Sequence, residues 1–197
     1  MRRFTDTLVD SRTSCGSGIT SARPTEILDL GCGNRKRPGA IGIDVNPATD
    51  ADVIHDLNEF PYPFEDSCFD EIYADNVIEH LTDVVRVMEE LHRISRPDAL
   101  VKVIVPYFRA RWAFIDPTHS HAFSVDSFSY FDPDHEHSRL YNYSPARFRT
   151  ERLVFNETIS GKPILRWIGN RWPLRYEVHL SHLAPLDDLT FYLRVVK

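Results

Sequence analysis

Short apolar runs separated by Gly, Pro and Asp fill the first half of the chain. EILDL (26–30), AIGID (40–44), DVIHD (52–56), FDEIYA (69–74) and ALVKVIVP (99–106) are rich in Ile, Val and Leu. Continuous runs bounded in this way predict the strands of a buried parallel sheet. One helix stands out. In LTDVVRVMEELHRISRP, the residues Val84, Met88, Leu91 and Ile94, with Val87 alongside, recur at helical spacing. Thr82 is placed to cap its start, and Pro97 to end it. The other links are short. DLNEFPYPFEDSCF, between the third and fourth runs, carries two prolines and no periodicity, so a loop is expected there. Parallel neighbours normally need a crossover of about a dozen residues or more. The pattern therefore predicts a trimmed α/β sheet with one thinly covered face at its start. That face is wet, or is covered by the N-terminal arm or a second subunit. LTFYLRVVK predicts a closing strand.

The stretch ILDLGCGNRKRPGAIGIDVNP (27–47) has the outline of a nucleotide-binding turn: strand, glycine bend, strand, acid. A dinucleotide site places about 20 residues between glycines and acid, because a helix crosses between the strands. Here Gly31 and Asp44 are 13 apart (44 − 31), which leaves no room for the helix whose N-terminus would hold a pyrophosphate. A ligand with a ribose and an amino acid but no phosphate fits better. Asp44 can accept from both ribose hydroxyls, Asp29 can attract an ammonium, and Asp56 can accept from an exocyclic amine. Three acids at successive strand ends make a rim suited to a cationic nucleoside.

Composition narrows the classes. The 197 residues, 42% hydrophobic, suit one domain over 25–197 after a polar, Ser/Thr-rich arm, 1–24. A net charge of −6 without a block of five like charges argues against a nucleic-acid partner. Cys15, Cys32 and Cys68 are few, scattered and odd in number; they predict a reducing cytoplasm rather than a disulfide framework or zinc site. No run approaches the roughly 20 apolar residues of a membrane span, so no membrane association is expected. A homodimer stays open.

ILDLGCG, GIDVNP, HDLNEFPYPFEDSCFDEIYADNVIEHL and MEELHRISRPDALVKVIVP, in that order, resemble a class I S-adenosylmethionine-dependent methyltransferase of the type 11 kind, over about residues 25–106. The resemblance implies an α/β, Rossmann-like sheet of seven strands, all parallel but one, with S-adenosylmethionine at the carboxyl ends of the strands. It implies that Asp29, Gly31, Gly33 and Asn34 line the methionine part, that Asp44 and Val45 hold the ribose side, that Asp56 and Leu57 meet the adenine, and that Asn76 and Val77 lie under the sulfonium. The sequence departs from the pattern at Arg35, where a third glycine is usual, and in the shortened link after it. Arg35 or Lys36 is then a candidate partner for the methionine carboxylate, with solvated loop charges as the competing reading.

An aromatic and His-rich insert follows the fifth strand. Residues 107–150 hold 11 of the 23 aromatics and four of the nine histidines, which predicts an acceptor pocket or lid, or else a subdomain with its own small core. His119 is the first candidate for a catalytic base, His80 the second, and Tyr107 and Arg109 are placed to contact an acceptor. DPTHSH and DPDHEH each contain H-x-H, so His119, His121, His135 and His137 with Asp116, Asp132, Asp134 and Glu136 are candidate metal ligands. Flanking prolines and the lack of cysteine weigh against them, and no metal is expected. Trp167 and Trp172 are expected in the core, and Arg166, Arg171 and Arg175 form a small basic cluster. The function expected is O- or N-methylation of a small molecule. The alternatives are a non-catalytic domain of this kind, or a methylase of protein or RNA.

Overall fold

The computed structural model describes residues 25–157 and 161–197; the expected arm, 1–24, lies outside them. Seven strands form one sheet: β1 (Ile27–Leu30), β2 (Ile41–Asp44), β3 (Val53–Ile54), β4 (Phe69–Asp75), β5 (Ser95–Pro106), β6 (Phe148–Phe155) and β7 (Asp188–Val195). Their order is β3-β2-β1-β4-β5-β7-β6. β1 to β5 run parallel, and β7 pairs antiparallel with both β5 and β6. The helices are α1 (Val84–Ile94), α2 (Trp112–Ile115), α3 (Glu136–Tyr141), α4 (Pro163–Arg171) and α5 (Pro173–His179). This is the expected seven-stranded, mostly parallel, Rossmann-like sheet with a helix-poor first half.

Register and side-chain alternation divide the sheet into two unlike faces. Leu28, Ile43, Ile72, Val101, Val103, Phe191, Leu193 and Phe148 fall on one face and are buried. α1 covers it with Val87, Met88, Leu91 and Ile94, each worth about 1.5–3 kcal/mol of burial. The insert reaches the same face, with Phe128 against Phe191 and Phe131 against Phe148. α4 and α5 close its far end, where Gly169 lets Leu186 and Phe155 approach closely and Tyr176 packs edge-on to Phe155.

The second face carries no helix among the described residues. Its positions are largely polar: Glu71, Tyr73, Lys102, Tyr192, Arg194 and Arg152. Parallel sheets usually have both faces covered; here side chains cover it by pairing with one another. Tyr73 donates to Glu71 (2.6 Å), Tyr192 to Glu157 (2.5 Å), and Arg194 to Glu151. Lys102 and Arg152 ion-pair with Glu157 at 3.2 and 3.0 Å. Among the described residues, the polar cover continues from Glu71 and Tyr73 over Lys102, Tyr192 and Arg152.

Several expectations are corrected. Asp83, not Thr82, caps α1: its carboxylate accepts from the Arg86 amide, while the Thr82 hydroxyl and amide are both engaged with Asn58 Oδ1. The helix ends at Ile94, before Pro97 is reached. The third strand is two residues long rather than five. Trp167 and Trp172 are not core residues: they are 62% and 39% exposed, because α4 and α5 turn Gly169 and Tyr176 inward instead.

The polar face generates a prediction. Burial works to raise Glu157, but the hydrogen bond from Tyr192 and the Lys102 and Arg152 cations hold it below the ordinary glutamate range. A carboxyl lowered on folding stabilises the native state above its unfolded pKa, and that contribution is lost as pH falls through the folded value. Chemical denaturation at neutral pH should therefore show Glu157→Gln destabilised by about 1–2 kcal/mol, with the difference vanishing in acid. A difference that persists unchanged to low pH would exclude the charge as its source.

Candidate active site

The chain leaves β1 outward to β2 and β3, then returns to β4 on the other side of β1. Ligands of such sheets lie outside the carboxyl ends of the strands where the direction reverses, here the ends of β1 and β4. Gly31 follows β1 with φ +65°, and Gly33 follows with φ +54°, conformations that favour glycine. At Gly31 a Cβ would lie 2.6 Å from Val77 Cγ2, so the glycine turn and the residues after β4 fit together only without a side chain. At Gly33 a Cβ would meet nothing within 4 Å: that side of the turn is open.

Asp44 ends β2 and holds the turn. Its carboxylate accepts from the Gly33 amide and the Asn46 amide, both at 2.9 Å, and both oxygens keep further acceptor capacity. Val45 beside it is 60% exposed. Asn34 and Asn76 are exposed, and Asn76 has φ 53°. Asp56 closes its own turn, accepting from the Asn58 amide and side chain. The Leu57 side chain is core, and its carbonyl accepts from Tyr62. An open glycine turn, an acid at the β2 end and an exposed aliphatic side chain next to it fit a nucleoside with free ribose hydroxyls.

Asp29 serves the loop. It is buried, and it accepts from the Arg37 amide at 2.8 Å; burial raises its pKa, and Arg37 opposes the rise. Arg37 itself stacks on Tyr73 at 3.9 Å and ion-pairs with Asp75. Lys36 pairs with Asp52 at 2.7 Å and lies over Gly42, which removes it as a free partner for a carboxylate. Arg35 stays exposed. Sequence reasoning passed over Arg37, the residue that occupies the place of the missing helix.

Beyond β4 and β5 lies a cavity of about 650 Å³, lined in part by Asn76, Glu79, His80, Trp112, His119 and Asp188. Two segments build it. A 3-10 turn over Ile78–His80 follows β4, and residues 116–120 of the insert are bonded to it. The Ser120 amide and hydroxyl donate to the Glu79 carbonyl at 2.9 and 3.1 Å. Thr118 donates its hydroxyl proton to Asp116 at 2.6 Å, and His80 Nδ1 lies 2.8 Å from the same hydroxyl. With the Thr118 proton given to Asp116, His80 Nδ1–H is the donor. The lone pair of His80 then sits on Nε2.

These contacts bring Glu79, His80 and His119 together, with one donor atom from each within 4.8 Å of the others. Glu79 is 1% exposed, and neither carboxylate oxygen has a hydrogen-bond partner on another described residue. Burial pushes its pKa up to about 7. The same desolvation, with neighbouring His119, lowers His80. His119 is half-buried, its ring edge-on to His80 at 4.6 Å, and its Nδ1 is buried without a partner.

Three candidates fall elsewhere. Tyr107 is fully buried between Phe108 and Phe155 and does not line the cavity; a side chain packed in the core does not reach an acceptor. His135 and His137 cap and brace α3, with His135 Nδ1 accepting from the His137 amide and His137 Nδ1 2.9 Å from Ser129. The insert divides: Trp112 to His119 supply cavity wall, while Phe123, Phe128, Phe131 and Phe148 are core. Glu79 was missed in the sequence; the signal was an acid inside the apolar IEHL directly after a strand.

Residues 28–103 match the family model described as a methyltransferase domain. Over that stretch the chain is similar to the class I S-adenosylmethionine-dependent methyltransferases. The class I sheet, the switch-point glycine turn and the acid at the β2 end agree with this, and S-adenosylmethionine is the cofactor of the family. Similar solved structures include a SAM-dependent methyltransferase from Archaeoglobus fulgidus, with 16% identity, a TM-score of 0.52 and coverage of 86% of each chain. A SAM-dependent methyltransferase from Mesorhizobium loti shares 16% identity over 86% of this chain and 90% of its own, with a TM-score of 0.51. The [4+2]-cyclase SpnF shares 16% over 87% and 74%, with a TM-score of 0.55. At these identities the likeness is one of fold. No curated protein matches the chain. Among its described residues, no helix is long and apolar enough to cross a membrane.

The glycine turn tolerates little change, since Gly31 and Gly33 both take positive φ and Gly31 abuts Val77. Gly31→Ala combines left-handed strain of about 1–2 kcal/mol with the Val77 contact. It should lower the thermal midpoint and weaken S-adenosylhomocysteine binding in calorimetry. Gly33→Ala carries the strain without the contact and should cost less stability. Equal stability losses in the two variants would remove the Gly31–Val77 fit from the account.

Proposed function

We propose that the chain methylates a small molecule at oxygen or nitrogen, and that the acceptor sits in the cavity beyond β4 and β5. One observation carries the reading. Glu79, His80 and His119 converge in a cavity whose wall includes Asn76, next to Val77, which abuts the glycine turn. The cavity volume lies in the range of about 300–1,000 Å³ usual for small-molecule sites, and the net charge of −6 disfavours a polyanionic acceptor.

In this reading Gly31, Gly33, Asn34, Asp44, Val45, Asp56, Leu57, Asn76 and Val77 surround S-adenosylmethionine, with Asp44 taking the ribose hydroxyls. Asp29 acts through the loop it holds. Bound there, the cofactor supplies an electrophilic methyl group on sulfur. The chain's contribution is alignment and exclusion of water, which can remove several kcal/mol of barrier. Trp112, Ile115 and Pro117 form the apolar side of the cavity, suited to packing a flat or aliphatic acceptor. The histidines address the acceptor's reacting atom. His80 presents the Nε2 lone pair, held by the Asp116–Thr118 chain, and His119 faces it across the same space. A proton on an acceptor hydroxyl or ammonium is theirs to take.

S-adenosylmethionine and S-adenosylhomocysteine should bind with micromolar affinity, roughly −8 kcal/mol, and NAD should not. Asp44→Ala should weaken the cofactor by about 1–3 kcal/mol, and should also lose some thermal stability, because the Gly33 and Asn46 amides lose their acceptor. His119→Ala should reduce turnover about 10²–10⁴-fold with little change in cofactor affinity. Calorimetry and a screen of metabolites for methyl uptake test these together. Absence of S-adenosylmethionine binding sinks the reading; unchanged turnover in His119→Ala removes that residue from it.

A further inference from the structure

The Glu79–His80–His119 cluster has a feature that proton transfer does not explain. A carboxyl side chain 1% exposed, with both oxygens unmatched by any other described residue, is costly to bury. Such a group usually has a partner, and buried charges are paired or coordinate metals. Among the described residues nothing fills that place: the groups brought to it, the His80 and His119 rings, offer lone pairs when neutral. Three lone-pair donors facing one another across less than 5 Å leave a space that a cation completes.

We propose that Glu79, His80 and His119 bind one divalent transition metal of the zinc type, with its remaining coordination positions open to the cavity. Two imidazoles and one carboxylate suit zinc or iron(II), and a site with three protein ligands is the open kind that admits a substrate atom. The surroundings match the ligands. His80 Nδ1 is held by Thr118, and Thr118 by Asp116, the outer-shell support that fixes a ligating histidine's tautomer and ring plane. Ser120 ties the backbone at Glu79 to the insert that carries His119, so the three ligands are held by one clamp. Tetrahedral bonds of about 2.0–2.1 Å need donors roughly 3.3 Å apart, so side-chain rotation must draw the three donors in from a spacing of up to 4.8 Å. This site differs from the metal reading weighed on the sequence, which grouped His119 with His121, His135 and His137; the structure groups His119 with two residues that follow β4 instead.

Whether the metal binds does not depend on the methyltransferase reading. What it does there rests on that reading: with the imidazole lone pairs taken by the cation, the metal replaces the histidines in addressing the acceptor, holding its hydroxyl or carboxylate by a lone pair beside the cofactor.

The test uses the full chain, stripped with chelator and desalted. Zinc should bind with a stoichiometry of one, and should raise the thermal midpoint. Cobalt(II) should give the visible bands of a low-coordinate nitrogen and oxygen site. Glu79→Gln, His80→Ala and His119→Ala should each weaken zinc at least about 10–100-fold, while His179→Ala, on the exposed end of α5, should not. Glu79→Gln should raise the midpoint of the metal-free protein, because it removes a buried unpaired carboxylate. If that variant fails to fold, the cobalt spectra of the two histidine variants decide. No uptake by the wild-type chain, or uptake unchanged in the histidine variants, overturns the proposal. S-adenosylmethionine titration of the same stripped protein separates the two readings: cofactor binding without metal uptake leaves the methyltransferase assignment standing and removes only the metal.

Discussion

The Asn76 amide donates to the Ile104 carbonyl 2.8 Å away, and Asn76 takes a φ of 53° at the point where the chain leaves β4. The ligand side of the molecule depends on this turn. It throws the chain back across the end of the sheet, so that Val77 lands against Gly31 and Glu79 and His80 land over the end of β5. The glycine turn and the cavity therefore share a backbone segment of a few residues. A displacement at Asn76 or Val77 is felt on both sides, and a side chain at Gly31 would push the segment away from the sheet. The insert adds the last contact, with Ser120 bonded to the Glu79 carbonyl. Two ligands' worth of geometry is thus fixed by a handful of main-chain hydrogen bonds rather than by a dedicated helix.

The missing helix after β1 has consequences on the opposite face. A link of this length cannot carry a helical crossover, and the loop covers its side of the sheet by other means. Lys36 lies over Gly42, and Arg37 runs across Asp29, Tyr73 and Asp75. Farther along, the face is closed by ion pairs and tyrosine hydroxyls centred on Glu157. Half-exposed pairs of this kind are individually weak, so the stability of the sheet rests on the other face, where α1, the insert and α5 pack. A two-layer arrangement also explains why Asp29 is committed to a loop amide. With no helix N-terminus present, the acid after β1 has an Arg37 N–H to satisfy.

The strands of the first half were legible because each is an unbroken apolar run closed by Asp, Gly or Pro, and the helix because its apolar residues keep one face. What escaped has identifiable causes. β6, FRTERLVF, carries three charges in its first five residues, since one of its faces is the polar one, and its alternation is interrupted by a bulge. Thr82 looked like a cap because threonine often is one, but Asn58, distant in sequence, competes for it. Trp167 and Trp172 were expected inside on hydrophobicity alone, while helix packing there is done by Gly169 and Tyr176. The placing of Asp29, Asp44 and Asp56 at or just past strand ends was readable, since it is local in sequence. The cavity cluster was readable only in halves: His80 and His119 each stood out, but their pairing with Glu79 is made by a contact across about 40 residues that no local pattern encodes.

Fold alone does not decide the chemistry. A structure named as a [4+2]-cyclase shares this architecture at 16% identity, as do two named as methyltransferases. The distinction must lie in the few side chains that face the reacting atoms. In this chain those side chains are unusual in one physical respect. An acid placed where no protein donor reaches it is neutral, or is matched by something that enters the site. If neutral, Glu79 carries a proton and is a hydrogen-bond donor toward the cavity. If matched, it is a ligand. Either state leaves a desolvated carboxyl group beside two imidazoles. The two states answer differently to replacement by glutamine. That residue preserves the donor of the neutral acid but is a poor ligand to a cation, so Glu79→Gln separates a protonated acid from a metal ligand without altering the shape of the site.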